Sequence, residues 1–130
     1  MNLKALHHYL TTLSPSEEKY RNGYVYDGWK DMPRKQCNGV EYTILDLDVA
    51  YSPLDNKPAD HSPGLNAELS EISIKKNSRF SAVPEHIHTH IEINYVYSGS
   101  CPQVIDGHSI TLQKIRFYLI DTNCPHSIAP

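Results

Sequence analysis

The first 23 residues carry a helical pattern of apolar positions. Leucines recur at i, i+3, i+7 and i+10 over residues 2–13, which is the spacing of one face of an α-helix. Ser14-Pro15-Ser16-Glu17 follows, a capping box with proline at the first helical position. A second short helix is therefore predicted from Pro15 to Arg21, ending at Asn22-Gly23, a typical C-terminal cap.

Beyond these helices, apolar and polar residues alternate in short runs, which is typical of strands. A strand is predicted from Glu41 to Val49, and a loop over residues 50–67, which hold three prolines and several Asp and Asn residues. From Glu68 onward, short runs and turn residues recur about every ten residues, as in a sandwich or barrel. We therefore divide the chain into an N-terminal arm (1–67) with short helices, one strand and a loop, and a β-barrel core (68–130).

Within the core, turn residues separate the predicted strands. Asp106-Gly107 lies between two apolar runs and predicts a hairpin. Pro84 is expected to end the run that begins at Phe80, and a loop is expected at Asp121–Pro125. The runs read as strands contain Ile72 and Ile74, Gln103–Ile105, Ser109–Leu112 and Phe117–Ile120.

Residues 86–97 alternate strictly between two kinds of side chain. Successive side chains of a regular strand point to opposite faces, so this segment predicts one polar and one apolar face. The polar face carries His86, His88, His90 and Glu92, and the apolar face carries Ile87, Ile91, Ile93, Tyr95 and Tyr97. Three imidazoles and a carboxylate within seven residues make this the segment where chemistry is expected.

Composition narrows the possible functions. The 130 residues fit one domain, and the net charge of −3 with scattered Lys and Arg argues against direct nucleic-acid contact. The three cysteines form no C-x-x-C pair, which argues against a disulfide framework. No apolar run approaches the roughly 18 residues that cross a bilayer, and no signal peptide is evident, so we expect no membrane contact and a cytoplasmic location.

Imidazole nitrogen and carboxylate oxygen are ligands for one divalent transition metal such as Zn, Ni, Fe or Mn. His86, His88 and Glu92 are the candidate ligands, and His126 is the best candidate for the fourth. The alternatives are a solvated polar face or a polar barrel lining that binds a small organic molecule. His90 is expected at the mouth of the barrel or in solvent. A nucleophilic pair of Cys124 and His126 is disfavoured, because the two are separated only by a proline.

The spacing of these residues resembles the first cupin motif, with His86-x-His88, Glu92 four residues later and Gly99 seven residues after that. Phe80 stands where the motif usually has its upstream glycine. Gly107, the apolar strands after it and His126 resemble the second cupin motif. Lys114-Ile115-Arg116 stands in place of the glycine-containing turn that this motif usually has. Residues 83–99 and 105–128 are further similar to the N-terminal effector-sensing domain of AraC-type bacterial transcription regulators.

The resemblance implies a mainly β, cupin-like jelly-roll barrel preceded by a short helical arm. We expect the barrel to lack its last strands and the chain to lack the DNA-binding half of a regulator. The resemblance also implies that His86, His88, Glu92 and His126 occupy metal-ligand positions, or line an effector pocket instead. Asn94, Val96 and Phe117 are expected to point into that pocket.

Three function hypotheses remain open at this stage, of which the third is a sugar-binding or storage-type cupin with a purely structural role. The leading one is a small-molecule sensing and dimerisation domain of an AraC-like regulator, whose effector is a sugar or other metabolite. Unpaired strand edges of an incomplete barrel would favour a homodimer. The alternative is a small metal-dependent cupin enzyme, an oxygenase or isomerase, that uses the His/His/Glu/His site.

Overall fold

The computed structural model describes residues 2–46 and 76–129. Two helices, Leu3–Thr11 (α1) and Pro15–Arg21 (α2), are followed by a short 3-10 helix, Gly28–Asp31. The strands are Arg34–Cys37 (β1), Val40–Ile44 (β2), Val83–Ile87 (β3), Glu92–Tyr95 (β4), Ser100–Ile105 (β5), His108–Gln113 (β6), Phe117–Ile120 (β7) and His126–Ile128 (β8). The predicted loop 50–67, the boundary after residue 67 and the strand at Ile72 and Ile74 lie outside the described residues.

Both predicted helices are present, and local side chains determine where they begin. Asn2 caps α1 by accepting a hydrogen bond from the backbone N–H of Ala5. In α2, the Ser14 hydroxyl accepts from Glu17 N–H, and the Glu17 carboxylate accepts from Ser14 N–H. This reciprocal pair is the capping box that the sequence predicts. Neither of these helices, nor any other described one, is long and apolar enough to cross a membrane.

The strands form two sheets. The larger sheet has six strands in the order β1-β2-β3-β8-β5-β6, with β2 and β3 parallel and the other pairs antiparallel. The smaller sheet is the antiparallel pair β4 and β7. The fold is therefore mainly β with one mixed sheet, and the described residues do not form a closed barrel. Strands β1 and β2 extend the same sheet that contains β3, β5, β6 and β8.

The prediction of one regular strand over residues 86–97 is wrong. The chain leaves β3 at Ile87, bends at residues 88–91 and enters β4 at Glu92, in the other sheet. The bend is held by hydrogen bonds, including one from Asn123 N–H to the His88 carbonyl at 2.7 Å. The segment therefore connects the two sheets and does not run along one of them.

Three other strand predictions need correction. Pro84 does not end a run, because it lies inside β3, where the pairing with β8 shifts register and no proline N–H is needed. Strand β1 was not predicted, since its four residues are mostly exposed and polar. Its partner β2 is reached through Asn38-Gly39, both with positive φ, a turn dipeptide that signals a hairpin. Strand β8, which begins at His126, was also not predicted.

Among the described residues, more of the buried side chains are polar than apolar. Ile87, Leu112 and Ile120 are buried apolar side chains, and they are accompanied by a larger set of buried polar ones. That polar set consists of Glu17, Thr43, Ser81, His86, His88, Gln103 and His126. Buried polar groups lower stability unless they are paired, so this interior is organised around interactions other than apolar packing.

The smaller sheet has four exposed large apolar side chains on one face. Ile93 pairs with Leu119 and Tyr95 with Phe117, and all four side chains are exposed. We call this set the outer face of β4 and β7. The expected inward orientation of Phe117 is wrong, since it is 73% exposed and lies opposite Tyr95. The predicted apolar packing of Ile91, Ile93 and Tyr95 is likewise not seen.

Two bulky residues adopt a left-handed backbone. Phe80 has φ 64° and Ile115 has φ 61°, a region that favours glycine because a Cβ atom there meets the following carbonyl. Phe80 precedes β3, and Ile115 lies in the turn between β6 and β7. Both are positions where the cupin motifs usually carry glycine.

Candidate metal centre

Four side chains that are distant in the sequence meet between the two sheets. His86 comes from β3, His88 follows it in the bend, Glu92 begins β4, and His126 begins β8. Their potential ligand atoms all lie within 4.8 Å of one another. Two atoms bound to one ion at 2.0–2.2 Å are at most about 4.4 Å apart, so the cluster is close to coordinating geometry. These four residues lie close enough to hold a metal ion.

Strand register explains why two of the histidines meet. β8 pairs with β3, and His86 lies directly opposite His126, so their rings project from the same face with centroids 4.1 Å apart. The third histidine, His88, packs against both, with ring centroids 4.8 and 5.0 Å away.

Each of the three imidazoles is fixed by a backbone carbonyl. Nδ1 of His86 lies 2.8 Å from the Pro84 carbonyl oxygen, and Nδ1 of His126 lies 3.0 Å from that of Cys124. Nδ1 of His88 contacts the Leu45 carbonyl oxygen. A carbonyl can only accept, so Nδ1 carries the proton in all three rings and Nε2 of the neutral ring carries a lone pair. This arrangement is the one that orients metal-binding histidines in proteins.

The Nε2 atoms of His88 and His126 face the carboxylate of Glu92. Oε2 of Glu92 lies 2.7 Å from Nε2 of His88 and 3.3 Å from Nε2 of His126. Both nitrogens are buried, and within the described part of the chain neither makes a hydrogen bond of acceptable geometry. Electron-pair donors thus converge in a buried space, which is favourable only when a cation, either a metal ion or a proton, lies among them.

Burial and neighbouring charges set the protonation states of the cluster. Burial, with a further contribution from His126, lowers the pKa of His86 to about 3, so its ring is neutral at pH 7. Burial alone would raise the pKa of Glu92, but the close contacts from His126 and His88 outweigh it and hold that pKa below its usual range. A neutral imidazole and an ionised carboxylate are the forms that bind metals.

The other predicted site residues have different surroundings. Asn94 is on the same face of β4 as Glu92, and its Nδ2 atom is buried with no hydrogen-bond partner among the described residues. Val96 follows β4 and is half-buried, with its backbone N–H and carbonyl directed to the turn at Ile115 and Arg116. His90 is half-buried in the bend, with Nδ1 3.5 Å from Asp46 Oδ1.

Gln103 is an inward-facing residue that the sequence reasoning missed. It is 4% exposed, and its partner across the ladder is Ile128, two residues beyond His126 on β8. Because side chains repeat every two residues along a strand, Gln103 shares the face of His126. Its Oε1 atom is buried with no hydrogen-bond partner among residues 2–46 and 76–129. The available signal was a polar residue within an otherwise apolar strand.

Cys124 contributes a backbone atom and not an activated thiol. Its carbonyl accepts from His126 Nδ1, while burial and the charges of Asp106 and Asp121 raise the pKa of its thiol. A nucleophilic cysteine needs a lowered pKa, so this environment does not favour nucleophilic chemistry.

A second group of potential ligands lies beside the first. Asp46, His88 and His90 also have ligand atoms within 4.8 Å of one another. Both carboxylate oxygens of Asp46 already accept hydrogen bonds from Thr89, and His88 belongs to the first group. The first group, which brings three histidines and one carboxylate together, is therefore the better metal site.

No family model matches the chain, and no curated protein or solved structure is significantly similar to it.

Proposed function

We propose that this chain is a cupin-like, metal-binding sensor domain for a small molecule, of the kind found in AraC-like transcription regulators. The observation that carries the proposal is the shared arrangement of the three histidines. Each ring donates Nδ1–H to a backbone carbonyl, which leaves Nε2 free to bind a metal, and Nε2 of His88 and His126 face Glu92. Such preorganisation is expected of a ligand set and is not needed by a merely solvated polar face.

A divalent ion of the Zn, Ni, Fe or Mn type fits this set, with His86, His88, Glu92 and His126 as ligands. When bound, the ion supplies a Lewis acid that attracts an oxygen atom of a small ligand. The chain itself supplies orientation: Asn94 Nδ2 is a buried donor near Glu92, and Gln103 Oε1 is a buried acceptor on the face of His126. A hydroxylated effector, such as a sugar or a small hydroxy acid, offers complementary groups.

Backbone conformation supports the cupin part of the proposal. Phe80 lies six residues before His86, where the motif usually has glycine, and Ile115 occupies the turn where the second motif has one. Both residues have the positive φ that glycine readily adopts. A jelly-roll ancestry accounts for the positive φ of two residues whose side chains disfavour it.

The alternative function is a metal-dependent oxygenase or isomerase. The His/His/Glu/His set favours it, because such sites can hold a redox or Lewis-acid metal. An enzyme also needs a group that moves a proton next to the reacting atoms. Tyr118 lies opposite Asn94, and its hydroxyl oxygen accepts from Gln113 N–H, but no contact among the described residues directs its proton toward the cluster. We therefore place sensing ahead of catalysis.

Self-association is the second element of the proposal. The outer face of β4 and β7 exposes four large apolar side chains, and such patches mark interaction sites. A homodimer formed on this face would cover them.

Metal binding tests the proposal directly. The chain is stripped with a chelator, dialysed against Zn²⁺, Ni²⁺, Fe²⁺ or Mn²⁺ in turn, and its metal content is measured by elemental analysis. We expect about one equivalent of at least one ion, strongly reduced in His88→Ala, which loses one of four ligands. His108→Ala is the matched control, because His108 is exposed and outside the cluster. Metal content below about a tenth of an equivalent for every ion would refute the site.

Sensing and catalysis are separated by following the small molecule. The metal-loaded chain is mixed with pentoses, hexoses and small hydroxy acids, and both thermal stability and product formation are measured. A compound that raises the melting temperature and is recovered unchanged supports the sensor. A compound that is converted, with conversion lost in Glu92→Gln, supports the enzyme.

A further inference from the structure

The bend between β3 and β4 is what allows one segment to supply two of the four proposed ligands. In a regular strand, the Cα atoms of His88 and Glu92 would be about 13 Å apart at about 3.3 Å per residue, so the two side chains would have to lean toward each other to share one ion. Here Nε2 of His88 and Oε2 of Glu92 are 2.7 Å apart. Whatever holds the bend therefore also sets the distance between these two ligands.

Asp46 holds the bend through both of its carboxylate oxygens. Oδ1 accepts from the backbone N–H of Thr89 at 2.7 Å, and Oδ2 accepts from the Thr89 hydroxyl at 2.6 Å. Thr89 is the residue that directly follows His88. Hydrogen bonds to an ionised carboxylate are roughly twice as strong as those between neutral groups.

The residue before Asp46 fixes the same bend at a second point. Leu45 N–H donates to the Ile87 carbonyl at 3.1 Å, and the Leu45 carbonyl accepts from Nδ1 of His88. Residues 45 and 46 thus run alongside residues 87–89 and hold the His88 ring and the following peptide together.

We propose that Asp46 is a positioning residue for the metal centre, which acts by clamping Thr89 so that His88 and Glu92 face one ion. The inference rests on the proposed metal site and assigns a role to a residue that does not belong to the preferred ligand set. Supporting residues of this kind change metal affinity by about 10–100-fold when they are removed.

The test compares Zn²⁺ affinity, by competition with a chromophoric chelator, and the absorption spectrum of the Co²⁺-substituted protein. Asp46→Ala is expected to weaken Zn²⁺ binding by about 10–100-fold and to alter the Co²⁺ spectrum. Asp46→Asn can still accept from Thr89 N–H and can donate to its hydroxyl, so it is expected to retain most of the affinity. Asp31→Ala is the control, since Asp31 is an exposed carboxylate at the end of the 3-10 helix.

A second variant keeps the test decisive if Asp46→Ala fails to fold. Thr89→Ala removes one of the two hydrogen bonds and is expected to weaken binding less than Asp46→Ala, whereas Thr89→Ser restores the hydroxyl and the affinity. If Asp46→Ala does fold, adding Thr89→Ala to it should have little further effect on metal affinity, because both substitutions remove the same contact. Wild-type affinity in Thr89→Ala, or equal losses in Asp46→Asn and Asp46→Ala, would overturn the clamp.

Failure of the clamp and failure of the metal site are distinguished by the metal-free protein. If the wild-type chain binds no metal, the proposed function fails, but the clamp still predicts a change at the His88 ring. Its NMR signals should shift in Asp46→Ala, while those of His7, in α1, should not. Unchanged His88 signals would overturn the clamp whether or not metal binds.

Discussion

Arg79 binds both carboxylate oxygens of Glu17. Nε lies 3.0 Å from Oε1, and Nη2 lies 3.0 Å from Oε2. Lys76 adds a further contact at 3.2 Å, and the Glu17 side chain is 1% exposed. Arg79 also donates to the carbonyls of Thr11 and Thr12, at the C-terminal end of α1. This one ion pair therefore attaches both helices to the segment that leads into β3.

Glu17→Gln is expected to destabilise the protein by about 3 kcal/mol, because it leaves Arg79 and Lys76 without their buried carboxylate partner. Glutamine at this position can still accept from Ser14 N–H and complete the capping box. A loss of stability in the variant therefore reports on the ion pair and not on the cap. The free energy of unfolding is measured by urea titration. Glu18→Gln is the control, since Glu18 is adjacent and exposed. A loss no larger than that of the control would show that the ion pair contributes little.

The same carboxylate predicts acid sensitivity. Burial alone would raise the pKa of Glu17, but the hydrogen bonds from Arg79 and Ser14 lower it to about 2 from 4.5. The unfolded chain binds this proton first as the pH falls, so stability is lost between about pH 4.5 and pH 2, by up to about 1.4 kcal/mol per pH unit. Urea midpoints measured across this range should fall steeply in the wild type and less steeply in Glu17→Gln. Parallel slopes in the two proteins would contradict the assignment.

The buried ring of His86 predicts a second pH range in which the metal-free protein loses stability, at higher pH than the range set by Glu17. The pKa of His86 in the folded protein is about 3, below the ordinary value of 6.5. Between these two values the ring is protonated in the unfolded chain and neutral in the folded chain. Stability contributed by the neutral ring is complete above pH 6.5 and falls as the pH decreases toward 3, by up to about 1.4 kcal/mol per unit. His86→Gln should flatten the urea-midpoint profile between pH 6.5 and 4.5, and His108→Gln should not. An unchanged profile in His86→Gln would show that another group dominates this range.

Ile115→Gly is expected to stabilise the protein. The left-handed conformation costs a β-branched residue about 1–2 kcal/mol, and the greater freedom of glycine in the unfolded chain offsets part of the gain, so about 0.5–1 kcal/mol should remain. Little packing is lost, since Ile115 is 73% exposed. Thermal unfolding checks the result, with Ile110→Gly in the extended strand β6 as the control of opposite sign. A lower melting temperature for Ile115→Gly would mean that its side chain makes a necessary contact.

Local signals in the sequence predicted local structure well. The capping box marked the start of α2 at Pro15, and the apolar run Phe117–Ile120 marked β7 with the observed bounds. The sequence also predicted the four residues of the cluster, with His86, His88 and Glu92 close together along the chain and His126 as the candidate fourth member. The bend at residues 88–91 could not be predicted, since the carboxylate that holds it, Asp46, lies 43 residues before Thr89 in the sequence.

The register between paired strands also could not be predicted from the sequence. Alternation divides a strand into two faces but does not say which face of its partner each one joins. Asn94 pairs with Tyr118 and Tyr95 pairs with Phe117, so Phe117 lies on the outer face and not beside Asn94. The expectation that Phe117 lines a pocket failed for this reason.

The outer face of β4 and β7 gives the last prediction. Its aromatic and aliphatic side chains are half to three-quarters exposed, which amounts to roughly 400–500 Å² of apolar side chain, near the upper range for a monomer. We expect the chain to self-associate at high concentration in size-exclusion chromatography with light scattering, and the double variant Phe117→Ser, Leu119→Ser to remain a monomer. Leu3→Ser is the control, since Leu3 is exposed at the start of α1. A wild-type chain that stays monomeric at its solubility limit would show that this face does not bind a second copy.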